Sequence, residues 1–178
     1  SKGYWTNETV DTSNDFGKYS QIAVDSNDKI VIVYIKDDGN PDIKWARGTS
    51  GSFSKSVVKN NVRASWLSFG IDSNDDIHVS SHNTNNRRLL YYTNASGSWV
   101  QKDASMGLSG KFAEMAIDDN DDIHISHVDT FGYSDLKYAT FQGTGKGVKI
   151  QPIFSISPYL PKGFILSIIH ISEPPRLR

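Results

Sequence analysis

The chain has 178 residues, 37% of them hydrophobic, which supplies apolar material for one packed domain or part of a larger one. Its formal net charge of −1 and its scattered lysines and arginines argue against a nucleic-acid partner, which would require a basic surface. The absence of Cys excludes disulfides and thiolate chemistry. No apolar run reaches the roughly 18 residues that a membrane-spanning helix requires.

In chain order, the first predicted element is a strand over residues 3–10, GYWTNETV, which is similar to GSWVQKDA at 97–104. A second strand follows at 18–26. The sequence DSND at 25–28 then predicts a tight turn, because Asp and Asn adopt left-handed conformations and bond their own backbone. After it come a β-branched strand at 29–35, a strand at 42–48 and a Gly/Ser turn. An aromatic residue, Phe53, heads the last strand.

This four-strand pattern occurs three times. Two independent sets of equivalent positions, which we call anchors, repeat with the same period. The anchors are Asp25, Asp72 and Asp118, spaced 47 and 46 residues apart, and Ile43, Leu89 and Leu136, spaced 46 and 47 apart. Strands at this period predict an all-β fold, an incomplete β-propeller. We expect about three four-stranded antiparallel blades, at 18–58, 65–104 and 111–147, plus the last strand of a preceding blade. A sandwich of hairpins would not explain the constant period.

A small residue on each first strand fits this prediction, since the innermost strands of a propeller crowd at the axis. These residues are Ala23, Gly70 and Ala116. Stacked repeats bury their faces only against neighbours, so three isolated blades would leave two open apolar faces that the neighbouring blades of the full-length chain would cover. We therefore expect the isolated fragment to be poorly soluble or aggregated.

The copies share the form IAxDSNDxIHISxxD…LKYAT…GSW, which resembles repeats of bacterial secreted β-propellers in the broad sialidase-like superfamily. The resemblance implies a secreted or cell-surface protein. A non-catalytic binding or adhesion module, glycan-binding in particular, is the first interpretation. The alternatives are a fragment of a sialidase-like glycoside hydrolase whose catalytic residues lie elsewhere, and a structural repeat scaffold.

Catalysis within this chain is not favoured. A sialidase needs clustered arginines for a substrate carboxylate, yet Arg47, Arg63, Arg87 and Arg88 occupy non-equivalent places in the repeats. No catalytic residue and no cofactor is predicted.

Alternating oxygen donors in the third turn, Asp118, Asn120 and Asp122, are weak calcium candidates. The turn lacks the Gly and Glu of an EF-hand loop, so a tight turn without metal is the favoured interpretation. His78 and His124 are equivalent, and Val31 replaces them in the first copy. They are predicted to form buried hydrogen bonds between blades.

Ligands of propellers commonly bind where loops gather on one face, and the loops after the second and fourth strands share a face. Aromatic rings with Asn, Asp and Arg suit recognition of a glycan or a surface protein. The predicted ligand-binding residues are Trp66, Arg63, Asn83, Asn85, Arg87, Asp129, Phe131 and Tyr133. Ordinary solvated loops without a special role remain the alternative.

Residues 148–178 form a non-repeat tail that carries five of the six prolines and no Asp or Asn. Its segment LSIIHISEPPR, 166–176, resembles the translation of a tagmentation sequencing adapter. The tail is therefore predicted to be artefactual or irregular, with the first foreign residue between 147 and 165.

We expect residues 166–176 to be missing from the reading frame when the source DNA is resequenced without tagmentation adapters. If the segment persists in that reading frame, the adapter interpretation is wrong.

Overall fold

The computed structural model describes residues 3–12, 16–105, 107–129 and 134–142, which form three antiparallel sheets. The first sheet contains β1 (Phe16–Val24), β2 (Ile30–Lys36), β3 (Asp42–Thr49) and β4 (Ser52–Lys59). The second contains β5 (Ala64–Ile71), β6 (Ile77–Asn83), β7 (Arg88–Thr93) and β8 (Val100–Asp103). The third contains β9 (Ser109–Ile117), β10 (Ile123–Asp129) and β11 (Asp135–Phe141). Helices are absent from these ranges, so none of the described segments could cross a membrane as an apolar helix.

Each sheet is a meander in which consecutive strands pair, and the sheets lie side by side through their first strands. Strand β5 contacts β1 on one side and β9 on the other. The prediction of an all-β fold built from repeated antiparallel sheets is confirmed.

The core consists of two apolar layers, one between each pair of neighbouring sheets. The layer between the first and second sheets includes Val33, Ile43, Phe69, Val79 and Tyr92. The layer between the second and third sheets is made of Leu89, Tyr91, Ala113, Ile123 and Ile125. Alternate residues of the second sheet therefore serve two different layers, as expected for a sheet that is covered on both faces.

At Gly70, on the first strand of the second sheet, the packing between sheets leaves no room for a side chain. A Cβ atom added there would lie 2.7 Å from Cδ1 of Ile117, on the first strand of the next sheet. The predicted crowding of the first strands is therefore confirmed at this position.

Two predictions about the strands need correction or restriction. Residues 3–12 form no strand, so the predicted last strand of a preceding blade is wrong as secondary structure. A segment is a β-strand only when its backbone is hydrogen-bonded to a neighbouring strand, and none of the described strands pairs with residues 3–12. The third sheet has three described strands. Its predicted fourth strand, near residue 146, and the tail at 148–178 lie outside the described residues.

The three Asp-rich turns have one geometry, which confirms the prediction of a tight turn at DSND and its two counterparts. In the first, Oδ1 of Asp25 accepts hydrogen bonds from the backbone N–H groups of Asn27 at 2.9 Å and Lys29 at 2.8 Å. Asp72 and Asp118 accept the corresponding bonds in the other turns. The fourth turn residue is left-handed each time, with φ of 56° at Asp28, 65° at Asp75 and 62° at Asp121.

The left-handed residue of each later turn also binds the turn of the preceding sheet. The carboxylate of Asp75 accepts hydrogen bonds from the backbone N–H of Ser26 at 2.8 Å, its hydroxyl at 2.7 Å and Nδ2 of Asn27 at 2.8 Å. The carboxylate of Asp121 accepts the N–H of Ser73 at 2.8 Å and its hydroxyl at 2.6 Å. We call these contacts turn-to-turn links; each joins neighbouring sheets at the same end.

The links favour the ionised carboxylates. Backbone and side-chain hydrogen bonds from Ser26 lower the pKa of Asp75. The hydroxyl and the N–H of Ser73 lower the pKa of Asp121. A carboxyl group with a lowered pKa contributes stability above its unfolded-state pKa, and this contribution is lost as the pH falls through the folded-state value.

We expect the melting temperature to fall as the pH is lowered from about 5 to about 2.5. Thermal melts of Asp75→Asn/Asp121→Asn should start several degrees lower at neutral pH and change less over that acidic range. Asp28→Asn, melted at a concentration at which the chain is monomeric, is the matched control, because this residue occupies the same turn position at the outer side of the first sheet. A double variant whose pH dependence equals that of the parent chain would contradict this role of the links.

Candidate functional site

An open cavity of about 620 Å³ lies between the first and second sheets, at the end where β1 and β5 begin. Loops and strand ends from both sheets line it: Lys18, Tyr19, Asp37, Gly39, Pro41, Arg63, Ala64, Ser65 and Thr84. Nζ of Lys18 donates to Oδ2 of Asp37 at 2.7 Å and lowers the pKa of that carboxyl. The cavity therefore offers a ring, hydroxyls, an ion pair and the exposed Arg63 around one space.

Three aromatic rings run beside this cavity across the three sheets. Tyr19, Trp66 and Phe112 stand on β1, β5 and β9, each six residues before the anchor Asp of its repeat. The ring centroids of Tyr19 and Trp66 are 6.3 Å apart, and those of Trp66 and Phe112 are 5.0 Å apart. We call this set the aromatic row. Tyr19 is 47% exposed and Phe112 is 61% exposed, so much of the row faces solvent.

The backbone of the aromatic row is strained in the same way three times. Each of the three residues lies at a register shift between the first and second strands of its sheet. Their φ angles are 51° for Tyr19, 47° for Trp66 and 52° for Phe112. A left-handed conformation is uncommon for a bulky residue and typically costs about 1–3 kcal/mol. The bulges turn each ring away from the ordinary alternation of the strand.

Trp66 is the best supported member of the row. The ring of His82 meets it edge-on, with centroids 5.5 Å apart, and Nζ of Lys111 lies 5.7 Å from the indole centroid. Nδ1 of His82 is 3.1 Å from the hydroxyl of Ser65, which lines the cavity. Burial, followed by the charges of Lys111 and Arg87, lowers the pKa of His82. The buried imidazole therefore supports one side of the indole.

Two of the residues proposed from the sequence lie at this site. Arg63 lines the cavity, and its carbonyl accepts the backbone N–H of Thr84 at 3.0 Å. Trp66 is the centre of the aromatic row. Arg87 is near enough for its charge to affect His82, and its carbonyl accepts the N–H of Ser109 at 2.7 Å.

Other proposed residues have local structural contacts. Oδ1 of Asn83 accepts backbone hydrogen bonds from Asn85 at 2.9 Å and Asn86 at 3.3 Å, which shapes the loop between β6 and β7. Asp129 lies 3.9 Å from Nζ of Lys137 within the third sheet. Phe131 and Tyr133 lie outside the described residues.

Sequence reasoning overlooked Tyr19 and Phe112, together with the lysines that precede them, Lys18 and Lys111. The signal was present, because an aromatic residue stands six positions before the anchor Asp in all three copies. Alternation alone assigned these positions to ordinary strands. The bulge that redirects them depends on strand pairing, which the sequence does not display.

The repeated histidines belong to networks within a sheet. His78 has Nδ1 2.5 Å from the hydroxyl of Tyr91 and Nε2 3.1 Å from Oδ2 of Asp72. His124 has Nδ1 2.5 Å from the hydroxyl of Tyr138 and Nε2 3.3 Å from Asp118. The prediction of hydrogen bonds between blades was wrong, since all these partners lie in the same sheet or its turn. In the first sheet Arg47 binds Asp25 instead, with Nε 2.6 Å from Oδ2.

The calcium candidates have other partners in the third turn. Oδ1 of Asp118 accepts the N–H groups of Asn120 at 2.9 Å and Asp122 at 3.0 Å. These hydrogen bonds lower the pKa of Asp118. Within the described ranges no group of three or more His, Asp or Glu side chains is placed to hold a metal ion.

Similarity to known proteins is distant. No protein family and no curated protein sequence matches the chain. Among solved structures, a fucose lectin from Kordia zhangzhouensis in complex with methyl-fucoside is 17% identical, with a TM-score of 0.49. The match covers 75% of this chain and 99% of the lectin. At this TM-score the likeness assigns neither a family nor a ligand.

Calcium should have little effect on stability, because the turn carboxylates already accept backbone hydrogen bonds. A millimolar site would contribute less than about 0.1 kcal/mol at roughly 0.1 mM calcium. Thermal melts with calcium and with a chelator should therefore coincide at that concentration. A shift of several degrees that Asp118→Asn abolishes would contradict the turn interpretation and assign a ligand role to the third turn.

Proposed function

We propose that this chain is a non-catalytic, glycan-binding module of a secreted or cell-surface β-propeller protein, and that the aromatic row and its cavity bind the sugar. The observation that carries the proposal is the repetition of one strained, solvent-facing aromatic residue in three sheets. Strain at a bulky residue is retained where it serves a function. Exposed rings beside polar groups suit a ligand with an apolar face and hydroxyl edges.

The cavity supplies the polar half of this recognition. Asp37 accepts from Lys18 and keeps carboxylate oxygens toward the cavity rim, while Thr84, Ser65 and Arg63 bring hydroxyls and donors from the second sheet. A sugar ring stacked on Tyr19 would have its hydroxyls within reach of both sheets. Asp37 is the one carboxyl group among the described residues that line the cavity, whereas most glycoside hydrolases use a pair of carboxyl groups.

The repeat supports the wider architecture. Three sheets that follow one another at a period of 46 to 47 residues, joined through their first strands, suit consecutive blades of a propeller. In this proposal the blades span residues 18–58, 65–104 and 111–147, and the ligand face is the one on which the loops after β2, β4 and β6 meet. The proposal of an adhesion role outside the cell rests on the resemblance of the repeats to those of secreted β-propellers.

The test is a titration with a panel of neutral methyl glycosides, in which binding is detected by saturation-transfer NMR. At least one glycoside should bind, and Tyr19→Ala or Phe112→Ala should weaken its binding about tenfold, the loss of roughly 1.4 kcal/mol from a stacked ring. Arg63→Ala should weaken binding through the cavity. Tyr4→Ala is the matched control, because Tyr4 is 87% exposed and lies away from the cavity. Equal binding by all variants, or by none of the proteins, would contradict the proposal.

A further inference from the structure

The two outer faces of the sheet array are apolar and exposed. On the first sheet Ile22 and Val24 of β1 are 68% and 60% exposed. On the third sheet Leu136 and Tyr138 of β11 are 79% and 51% exposed. We call these the head face and the tail face. Large exposed apolar residues clustered on one face mark interaction surfaces.

The repeat relates each outer face to an interface that the structure already contains. Leu136 and Tyr138 correspond to Leu89 and Tyr91 of β7, which are 0% and 2% exposed because the third sheet covers them. Ile22 and Val24 correspond to Met115 and Ile117 of β9, which pack against the second sheet. The tail face thus has the same kinds of residues as the face of the second sheet that the third sheet covers. The head face has the same kinds of residues as the face of the third sheet that packs on the second.

Residues 3–12 mark where a preceding sheet would lie. Oε2 of Glu8 accepts the N–H of Gly51 at 2.5 Å, and Oδ2 of Asp11 accepts the hydroxyl of Tyr34 at 2.7 Å. Glu8 corresponds to Lys102 of β8, which likewise reaches the next sheet, 4.7 Å above the ring of Phe141. The segment therefore contacts the first sheet where the last strand of a preceding sheet would contact it, while Ile22 and Val24 stay exposed.

We propose that a second copy of this chain docks its third sheet on the head face, head to tail, and that residues 6–9 of the first copy pair with β11 of the second. β11 is the edge of the described part of its sheet, in the order β11-β10-β9. By the register of β7 with β8, in which Thr93 faces Val100, Thr140 would face Thr6. Edge strands accept added strands in this way.

The turn-to-turn link predicts one weak point in this interface. In the docked pair the carboxylate of Asp28 would meet the third turn, where Asp119 replaces Ser26 and Ser73 of the earlier copies. The N–H of Asp119 and the side chain of Asn120 can still donate. The hydroxyl donor is lost, and two carboxylates meet instead. Like charges in contact disfavour association, so Asp119→Ser should strengthen it.

The test measures the mass of the 178-residue chain by light scattering at several concentrations. We expect association beyond the monomer, which Ile22→Glu and Leu136→Glu each abolish and Asp119→Ser strengthens by about tenfold. Asn60→Glu, which adds the same charge in an exposed loop, is the control. A monomeric parent chain, or association that ignores these substitutions, would overturn the proposal.

Mixing and cross-linking distinguish the head-to-tail arrangement from other contacts. Ile22→Glu keeps an intact tail face and Leu136→Glu an intact head face, so an equimolar mixture should form heterodimers. Thr6→Cys/Thr140→Cys should yield a disulfide-linked dimer on a non-reducing gel, since the natural chain has no Cys. Thr6→Cys/Asp135→Cys should not, because that pair lies roughly 17 Å apart along the strand. A monomeric mixture, or equal cross-linking of both pairs, would refute this interface. Neither result depends on glycan binding.

Discussion

The relative placement of the sheets depends on one kind of electrostatic contact, present twice, in which the carboxylate of a left-handed aspartate accepts hydrogen bonds from the turn of the preceding sheet. Asp75 binds the first turn and Asp121 binds the second. Apolar burial supplies most of the attraction between sheets but has no direction. The links are directional, so they set the position of each sheet relative to the next. They hold the ends of β1, β5 and β9 at the same level in neighbouring sheets. The aromatic row exists because those three strands are aligned.

The anchor aspartate and the linking aspartate have different structural roles. Asp25 holds its own turn by accepting the N–H groups of Asn27 and Lys29, so its role is local. Asp75 and Asp121 are left-handed, and their carboxylates reach out of their own turns to the turn of the preceding sheet. A short Asp-rich sequence thereby specifies both a hairpin and a sheet-to-sheet contact.

The repeat made most of the fold predictable, because strand period, turn chemistry and small residues pointed to one answer. What escaped prediction depended on pairing between elements. The bulges at Tyr19, Trp66 and Phe112 arise from register shifts, and alternation along the sequence gives no sign of them. His78 was assigned to the wrong partners for a related reason: its position on a strand is visible in the sequence, whereas the proximity of Tyr91 follows from the pairing of β6 with β7.

Because the turn-to-turn links are alike, they constrain how many residues such a protein can gain or lose when repeats are duplicated or deleted. Each link uses an aspartate in one copy and a serine in the copy before, so a duplicated whole repeat would arrive with matching donors and acceptors. Loss of part of a repeat would separate a donor from its acceptor and shift every later sheet. Recombination between copies would therefore keep donors and acceptors matched only in steps of 46 to 47 residues. Asp119 departs from this rule and marks a place where the exchange of copies carries an electrostatic penalty.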